Sequence, residues 1–467
     1  MSTKLNLKFF QEEPTDSLQD YLLDPYDLDA PTCQGGTGSG KTWIFAEGLR
    51  RAQQVGMLLP SEDKPFQQYT IFVLCPSNAI VQHQRVLAKA GVTNCLVTSY
   101  DSLRSSLGDI YLKWVTTIER GVEHINPVWD EDFAPSAIIC DESQYLKNFG
   151  SQRGKVIKAY IKQKLGKLAF FSATPFQKAC EAEYAILGSG IVRNPIDFNQ
   201  YALSVSPGGI GENSPAATNR IKEDLIKRRK WIQVKNVRYP FKPVLSNKLF
   251  DLTPAKRVIY DKAYERFLEE RRKYGKNDPS GIIAKWNAMR EFQMCSELLR
   301  ADELAICAKF VKETHENSVI VPSNYIATLE AVKGWLIKMG VRDSEISCLY
   351  GNMPAHKKQE SMDNFQIGRT RYFLTTLKSG GTGLNLQHCE KSSFPRTSIM
   401  PPCWSVYEFL QFLGRTQRID NLSPARMFLT WYKDTVEEQV ADRLEAKYDC
   451  IKTLYDRSDS FIQNIFN

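Results

Sequence analysis

Gly35-Gly-Thr-Gly-Ser-Gly-Lys-Thr42 has the form G-x-x-x-x-G-K-[ST]. This spacing predicts a phosphate-cradling loop. Gly35, Gly36, Thr37, Gly38, Ser39 and Gly40 turn backbone N–H groups onto phosphate oxygens, Lys41 reaches the β- and γ-phosphates, and Thr42 offers a hydroxyl to Mg²⁺. The plainer alternative is a Gly-rich turn before a helix. A distant segment, Gln411-Phe-Leu-Gly-Arg-Thr-Gln-Arg418, sets Arg415 and Arg418 three residues apart, on one face if the segment is helical. Such a pair can act as arginine fingers on the γ-phosphate from another domain. A loop that holds nucleotide and a distant part that senses it describe a motor.

Around the loop the chain alternates apolar runs with helical stretches. Tyr69–Cys75, Cys95–Thr98, Ala137–Cys140 and Leu168–Phe171 each end at a polar cluster, namely Pro76-Ser-Asn, Ser99-Tyr, Asp141-Glu and Ser172-Ala-Thr. Buried parallel strands with functional loops at their carboxyl ends have this rhythm. Gly188–Ala216 reads as loop from its Gly, Pro, Asn and Ser content. Helices are expected over 254–274 and 281–314. The rhythm resumes with strands at 318–322, 346–349, 371–375, 398–400 and 427–432, and a helix over 436–449. The predicted fold is α/β, with two doubly wound parallel-sheet lobes and a helical insertion between them. The expected divisions are residues 1–190, 191–316 and 317–467.

The length of 467 residues suits two or three domains, and 42% hydrophobic with 24% charged residues is ordinary for a globular chain. No apolar run nears the roughly 20 residues of a membrane span, and Met1–Asp20 lacks a signal-peptide layout. An intracellular protein is expected. The 11 cysteines are scattered without a C-x-x-C pair, which argues for reduced thiols over a zinc site. The net charge of +8 suits a polyanionic partner. Lys222, Lys227, Arg228, Arg229, Lys230, Lys235, Arg238 and Lys242 crowd one stretch against Glu223 and Asp224. That stretch is either a solvated basic linker or a nucleic-acid phosphate track, with Lys227, Arg228, Arg229 and Lys230 its densest part.

Asp141-Glu142 supplies what the phosphate loop lacks. Asp141 can hold Mg²⁺ through water, while Glu142 can orient and deprotonate an attacking water. Asp141-Glu-Ser-Gln-Tyr-Leu-Lys-Asn148 resembles motif II of superfamily-two helicases, and its Leu-Lys-Asn extension is similar to the Swi/Snf-like branch. Ser172-Ala-Thr-Pro-Phe-Gln177 resembles motif III. Cys75-Pro-Ser-Asn-Ala-Ile80 and Val97-Thr-Ser-Tyr100 resemble motifs Ia and Ib. Leu374 to Leu386, ending Gly-Gly-Thr-Gly-Leu-Asn-Leu, is similar to motif V. Trp404 with Gln411-x-x-Gly-Arg-x-x-Arg418 is similar to motif VI and its approach, and Thr435-Val-Glu-Glu438 to the segment after it. Phe9-Phe-Gln11 resembles the element whose glutamine reads adenine. The motifs run in family order from residue 9 to about 445.

The resemblance implies two RecA-like lobes and an ATP- and Mg²⁺-dependent motor. Gln11, Lys41, Thr42, Asp141, Glu142 and Gln144 would serve the nucleotide from one side, and Gly383, Gln411, Arg415 and Arg418 from the other. Ser77, Ser99, Lys378 and Ser379 are the implied phosphate contacts on nucleic acid, the favoured track being duplex DNA. Two departures stand out: Gln144 occupies the place where Swi/Snf relatives carry histidine, and Ser172-Ala-Thr replaces their Thr-Gly-Thr or Thr-Ala-Thr. Glutamine can still bridge to motif III by hydrogen bonds, though it cannot become cationic. A duplex-DNA translocase that remodels or displaces bound protein is the leading expectation. A strand-separating DNA or RNA helicase and an ATPase-dead binding scaffold are the alternatives.

Overall fold

A computed structural model describes residues 6–454 except 106, 120–121, 236, 238, 274–278, 352 and 378–385. The chain divides into two compact units. One is Tyr239–Glu445, and the other is the described chain before it together with residues 446–454.

The first unit contains β1 (Thr32–Gln34), β2 (Ile71–Cys75), β3 (Cys95–Ser99), β4 (Leu112–Glu119), β5 (Val122–Trp129), β6 (Ala137–Asp141), β7 (Lys167–Ser172) and β8 (Trp231–Gln233). Six of these form a parallel sheet in the order β3-β2-β6-β7-β1-β8. β2, β6 and β7 are buried along their whole length, as strands covered on both faces must be. Register places Gln34 beside Ser172 and Asp141 beside Phe171, so the carboxyl ends of β1, β6 and β7 emerge together. The candidate site stands there.

The second unit repeats the plan with β9 (Val244–Phe250), β10 (Ser318–Ser323), β11 (Ile346–Leu349), β12 (Tyr372–Thr376), β13 (Arg396–Met400) and β14 (Arg426–Tyr432). These are parallel in the order β11-β12-β10-β13-β14-β9. Helices Ala301–His315 and Ile326–Lys338 supply Leu304, Ala308, Val332 and Leu336 to its core beside Val319 and Leu374. Two such sheets with helices between are the expected α/β architecture.

Several elements differ from expectation. The stretch read as loop holds helices Pro195–Val205 and Pro215–Lys227. The Asn, Ser and Pro residues that suggested loop are helix-start chemistry. The side chains of Asn194 and Ser214 accept from the N–H groups of Asp197 and Ala217, each with proline next in the chain. The basic stretch contains β8, and β9 follows it, so the segment expected as linker gives one edge strand to each sheet. The expected helix over 281–314 is two, Pro279–Leu299 and Ala301–His315. The break turns the fully buried Arg300 onto Glu437. The antiparallel hairpin β4–β5 and the first helix, Phe9–Leu23, were not anticipated.

Candidate active site

The phosphate loop lies between β1 and the helix Lys41–Gln54. Gly35 N–H donates to the Ser172 carbonyl at 3.2 Å, which ties the loop to the end of β7. Gly40 begins the helix at φ 79°, a left-handed conformation, and a Cβ there would lie 2.1 Å from Gln11 Nε2. Gln11 is buried and donates from Nε2 to the Ser39 carbonyl at 2.9 Å, while its Oε1 accepts from Lys8 N–H. The residue expected to read adenine therefore braces the loop backbone. Lys41 folds back, donating from Nζ to the Gly35 carbonyl at 3.1 Å. Thr42 occupies the first turn of the same helix.

Asp141 ends β6 and is buried. Its Oδ2 meets His83 Nε2 at 2.7 Å, and His83 Nδ1 meets the Ala79 carbonyl at 2.8 Å. Both partners are acceptors, so in this geometry the imidazole donates from both nitrogens. Burial alone would raise the Asp141 pKa. The bond and charge of His83, then the nearby Lys41, outweigh it and hold the carboxyl below its ordinary value. Burial pulls His83 down, but Asp141 and the Ala79 carbonyl lift it above ordinary histidine. The second oxygen, Oδ1, is buried without a protein partner. A buried carboxylate with one free oxygen, close to the loop ammonium and to a helix N-terminus bearing Thr42, fits a hydrated divalent cation.

Glu142 follows at φ 52°, a strained conformation for a side-chain-bearing residue. Its Oε2 accepts from Gln144 Nε2 at 2.8 Å, and Gln144 Oε1 accepts from Ser172 Oγ at 2.5 Å. Ser172 Oγ also accepts from Thr174 N–H at 2.9 Å. A relay thus runs from the carboxylate at the end of β6 to the turn after β7. Gln144 bridges to Ser172 as its amide allows.

In the second unit, Gln411 and Arg415 lie on helix Val406–Thr416. Arg418 does not share that helical face. The helix ends at Gln417, in extended backbone, and Arg418 N–H is capped by Asn421 Oδ1 at 2.8 Å. The two guanidinium groups still feel each other. Burial, and then the charge of Arg415, pull Arg418 down to about 10. Gly383, Lys378 and Ser379 fall outside the described residues.

The expected track residues separate. Ser77 is exposed, whereas Ser99 is turned inward, its Oγ 2.8 Å from Ser102 Oγ and accepting from Ser102 N–H. Lys227, Arg228 and Arg229 are exposed. Lys230 is buried, ion-paired with Asp27 and set over the Tyr21 ring, so it is no surface cation. Sequence reasoning missed His83 altogether. Its signal was periodicity: His83, Leu87 and Ala90 form the buried stripe of helix Ile80–Ala90, which places an imidazole on an inward face. Tyr100, at the end of the Val97–Tyr100 motif, donates its hydroxyl to the Asp141 carbonyl at 2.8 Å, a long-range bond that local spacing does not reveal.

Residues 302–420 match the helicase conserved C-terminal domain. A protein of Acanthamoeba polyphaga mimivirus, provisionally named an ATP-dependent RNA helicase, is 22% identical over 426 residues, 83% of this chain and 72% of its own length. The mouse SWI/SNF-related matrix-associated actin-dependent regulator of chromatin subfamily A member 1 is 31% identical over 108 residues. That covers 23% of this chain and 10% of the mouse protein. The human protein of the same name is 20% identical over 338 residues, 66% of this chain and 31% of its own length. The chain thus spans under a third of the length of that chromatin regulator. These similarities are to ATP-dependent helicase-like motors, and such kinship implies nucleotide and nucleic-acid binding. No helix among the described residues is long and apolar enough to cross a membrane.

Proposed function

We propose that this protein is a nucleic-acid-stimulated ATPase that moves along duplex DNA and remodels or displaces what is bound there. The observation that carries the motor reading is the convergence, at the carboxyl ends of β1, β6 and β7, of Lys41, Asp141 and the Glu142–Gln144–Ser172 relay. Duplex DNA rests on the Swi/Snf-like segments and on the exposed Lys227, Arg228 and Arg229, since phosphate contacts attract without reading bases. The viral relative's name favours a second reading, an RNA helicase.

In this mechanism the loop amides and Lys41 bind the phosphates of ATP, with Lys41 exchanging the Gly35 carbonyl for them. Thr42 and Asp141 would hold Mg²⁺, which supplies charge neutralisation on the phosphates. Glu142 takes a proton from the attacking water, and Gln144 keeps its carboxylate oriented. Arg415 and Arg418 are assigned to charge developing on the transferred phosphoryl group. ATP turnover measured with duplex DNA, single-stranded DNA and RNA tests the assignment. Stimulation by duplex DNA above the others is expected. Stimulation by RNA alone selects the second reading, and no hydrolysis under any condition overturns both.

A further inference from the structure

His83 and Tyr100 each link a segment expected to face nucleic acid with Asp141, the carboxylate expected to hold the metal. His83 lies on the helix that follows the Ser77–Ala79 turn. Its Nδ1 holds the Ala79 carbonyl of that turn at 2.8 Å, and its Nε2 holds Asp141 Oδ2 at 2.7 Å. Tyr100 follows Ser99, and its hydroxyl holds the Asp141 main-chain carbonyl at 2.8 Å. Both side chains are buried, at 4% exposure each, so neither bond competes with water. The rings are fixed from the side as well. His83 lies 5.7 Å from Phe45 of the phosphate-loop helix, and Tyr100 stacks on Tyr145 with planes 3° apart.

We infer that His83 and Tyr100 are positioning residues through which nucleic acid, by shifting the 77–79 and 99–102 turns, sets the orientation of Asp141 and hence the affinity for metal–nucleotide. This inference rests on the motor reading. The physical content is a linkage. With Oδ2 fixed by His83, the unpartnered Oδ1 is the oxygen left for a hydrated cation. A turn that pulls on Ala79 rotates that carboxylate. Because coupling free energies are reciprocal, nucleic acid that tightens metal–nucleotide binding must itself be bound more tightly in return.

The test uses the full chain with Mn²⁺ as a paramagnetic stand-in for Mg²⁺. Mn²⁺ affinity is read by electron paramagnetic resonance with a non-hydrolysable ATP analogue, with and without duplex DNA, single-stranded DNA or RNA. The wild type should bind Mn²⁺ more tightly in the presence of whichever nucleic acid stimulates it. His83→Phe, which keeps the packing on Phe45 without hydrogen bonds, should weaken Mn²⁺ binding about tenfold and abolish the nucleic-acid effect. His83→Gln, whose amide reaches the Nε2 position, should restore most of the affinity but not the effect. His83→Asn, whose amide reaches only Nδ1, should restore neither. Tyr100→Phe should diminish the effect while leaving Mn²⁺ affinity within about threefold. A melting temperature near the wild type's in His83→Gln excludes misfolding as the cause of its uncoupling. A full nucleic-acid effect in His83→Phe overturns the linkage while the motor reading stands. Mn²⁺–nucleotide binding in the wild type that ignores every nucleic acid likewise overturns the linkage, whereas the motor reading stands or falls on ATP turnover, which stimulation can raise without a change in affinity.

Discussion

Replacing Gln144 by alanine cuts the relay in two places with separable consequences. The Nε2 bond to Glu142 Oε2 is 2.8 Å long and ends on a carboxylate. A hydrogen bond to a charged group contributes about 1.5–3 kcal/mol. If that orientation is needed only while water attacks, its loss should slow turnover by roughly 10- to 150-fold, since about 1.4 kcal/mol is a factor of ten. Nucleotide affinity should stay nearly constant. The second cut strands Ser172, which is wholly buried and is deprived of the Gln144 oxygen that accepts its hydroxyl proton. An unsatisfied buried donor costs about 1–3 kcal/mol, enough to lower the melting temperature by a few degrees in a domain of this size. Gln144→His should recover both properties, because a neutral imidazole donates from one nitrogen and accepts at the other. Adding Ser172→Ala to Gln144→Ala should restore neither property, because it also removes the acceptor of the buried Thr174 N–H. Steady-state hydrolysis and thermal denaturation of the four proteins decide the matter. Wild-type turnover in Gln144→Ala, or recovered turnover in the double variant, would refute the relay.

Lys41→Ala should weaken nucleotide binding, whereas Glu142→Gln should bind normally and turn over at least 100-fold more slowly, as loss of a general base demands. Equilibrium titration with a fluorescent nucleotide separates the two. Arg415→Ala and Arg418→Ala should each depress turnover far more than ATP affinity, and unchanged kcat in both would remove them from the chemistry. Neutralising Lys227, Arg228 and Arg229 together should reduce the slope of log affinity for DNA against log salt by about 0.9 for each phosphate these side chains had neutralised. Lys230→Met should leave that slope alone and lower the melting temperature instead, because it strands Asp27 opposite an apolar group.

The sequence made the sheets legible where strands are buried on both faces. Ile71–Cys75 is apolar throughout, and within Ala137–Asp141 and Lys167–Ser172 the apolar runs end at Cys140 and Phe171, just before Asp141 and Ser172, so burial and chemistry mark the same boundary. The three-residue strands Thr32–Gln34 and Trp231–Gln233 carry too little pattern to be seen, and only their neighbours in the sheet define them. The helices Pro195–Val205 and Pro215–Lys227 hid behind their own caps. Within the candidate site, spacing along the chain singles out Lys41, Asp141 and Glu142 as candidates, because the glycine-rich loop and the paired carboxylates are local. It could not show that Lys230 turns inward to Asp27, that Ser99 bonds its own loop, or that His83 reaches Asp141. Each of those depends on a partner brought close by the fold.

The placement of β9 bears on how the chain is made. In the finished protein Val244–Phe250 pairs with Arg426–Tyr432. During synthesis, however, β9 leaves the ribosome long before its partner exists. At roughly 5–20 residues per second the wait is on the order of ten seconds or more. Throughout it, Val-Leu-Ser-Asn-Lys-Leu-Phe is a ready template for the wrong strand. Lys248, in the middle of that run, puts a charge where a stray strand would have to desolvate it. The first unit waits even longer to close, since Thr218 bonds the carbonyl of Cys450. A ribosome that stalls after residue 250 therefore leaves β9 without its partner strand and the first unit without the C-terminal segment that Thr218 bonds, and such arrested chains should be the species that chaperones capture.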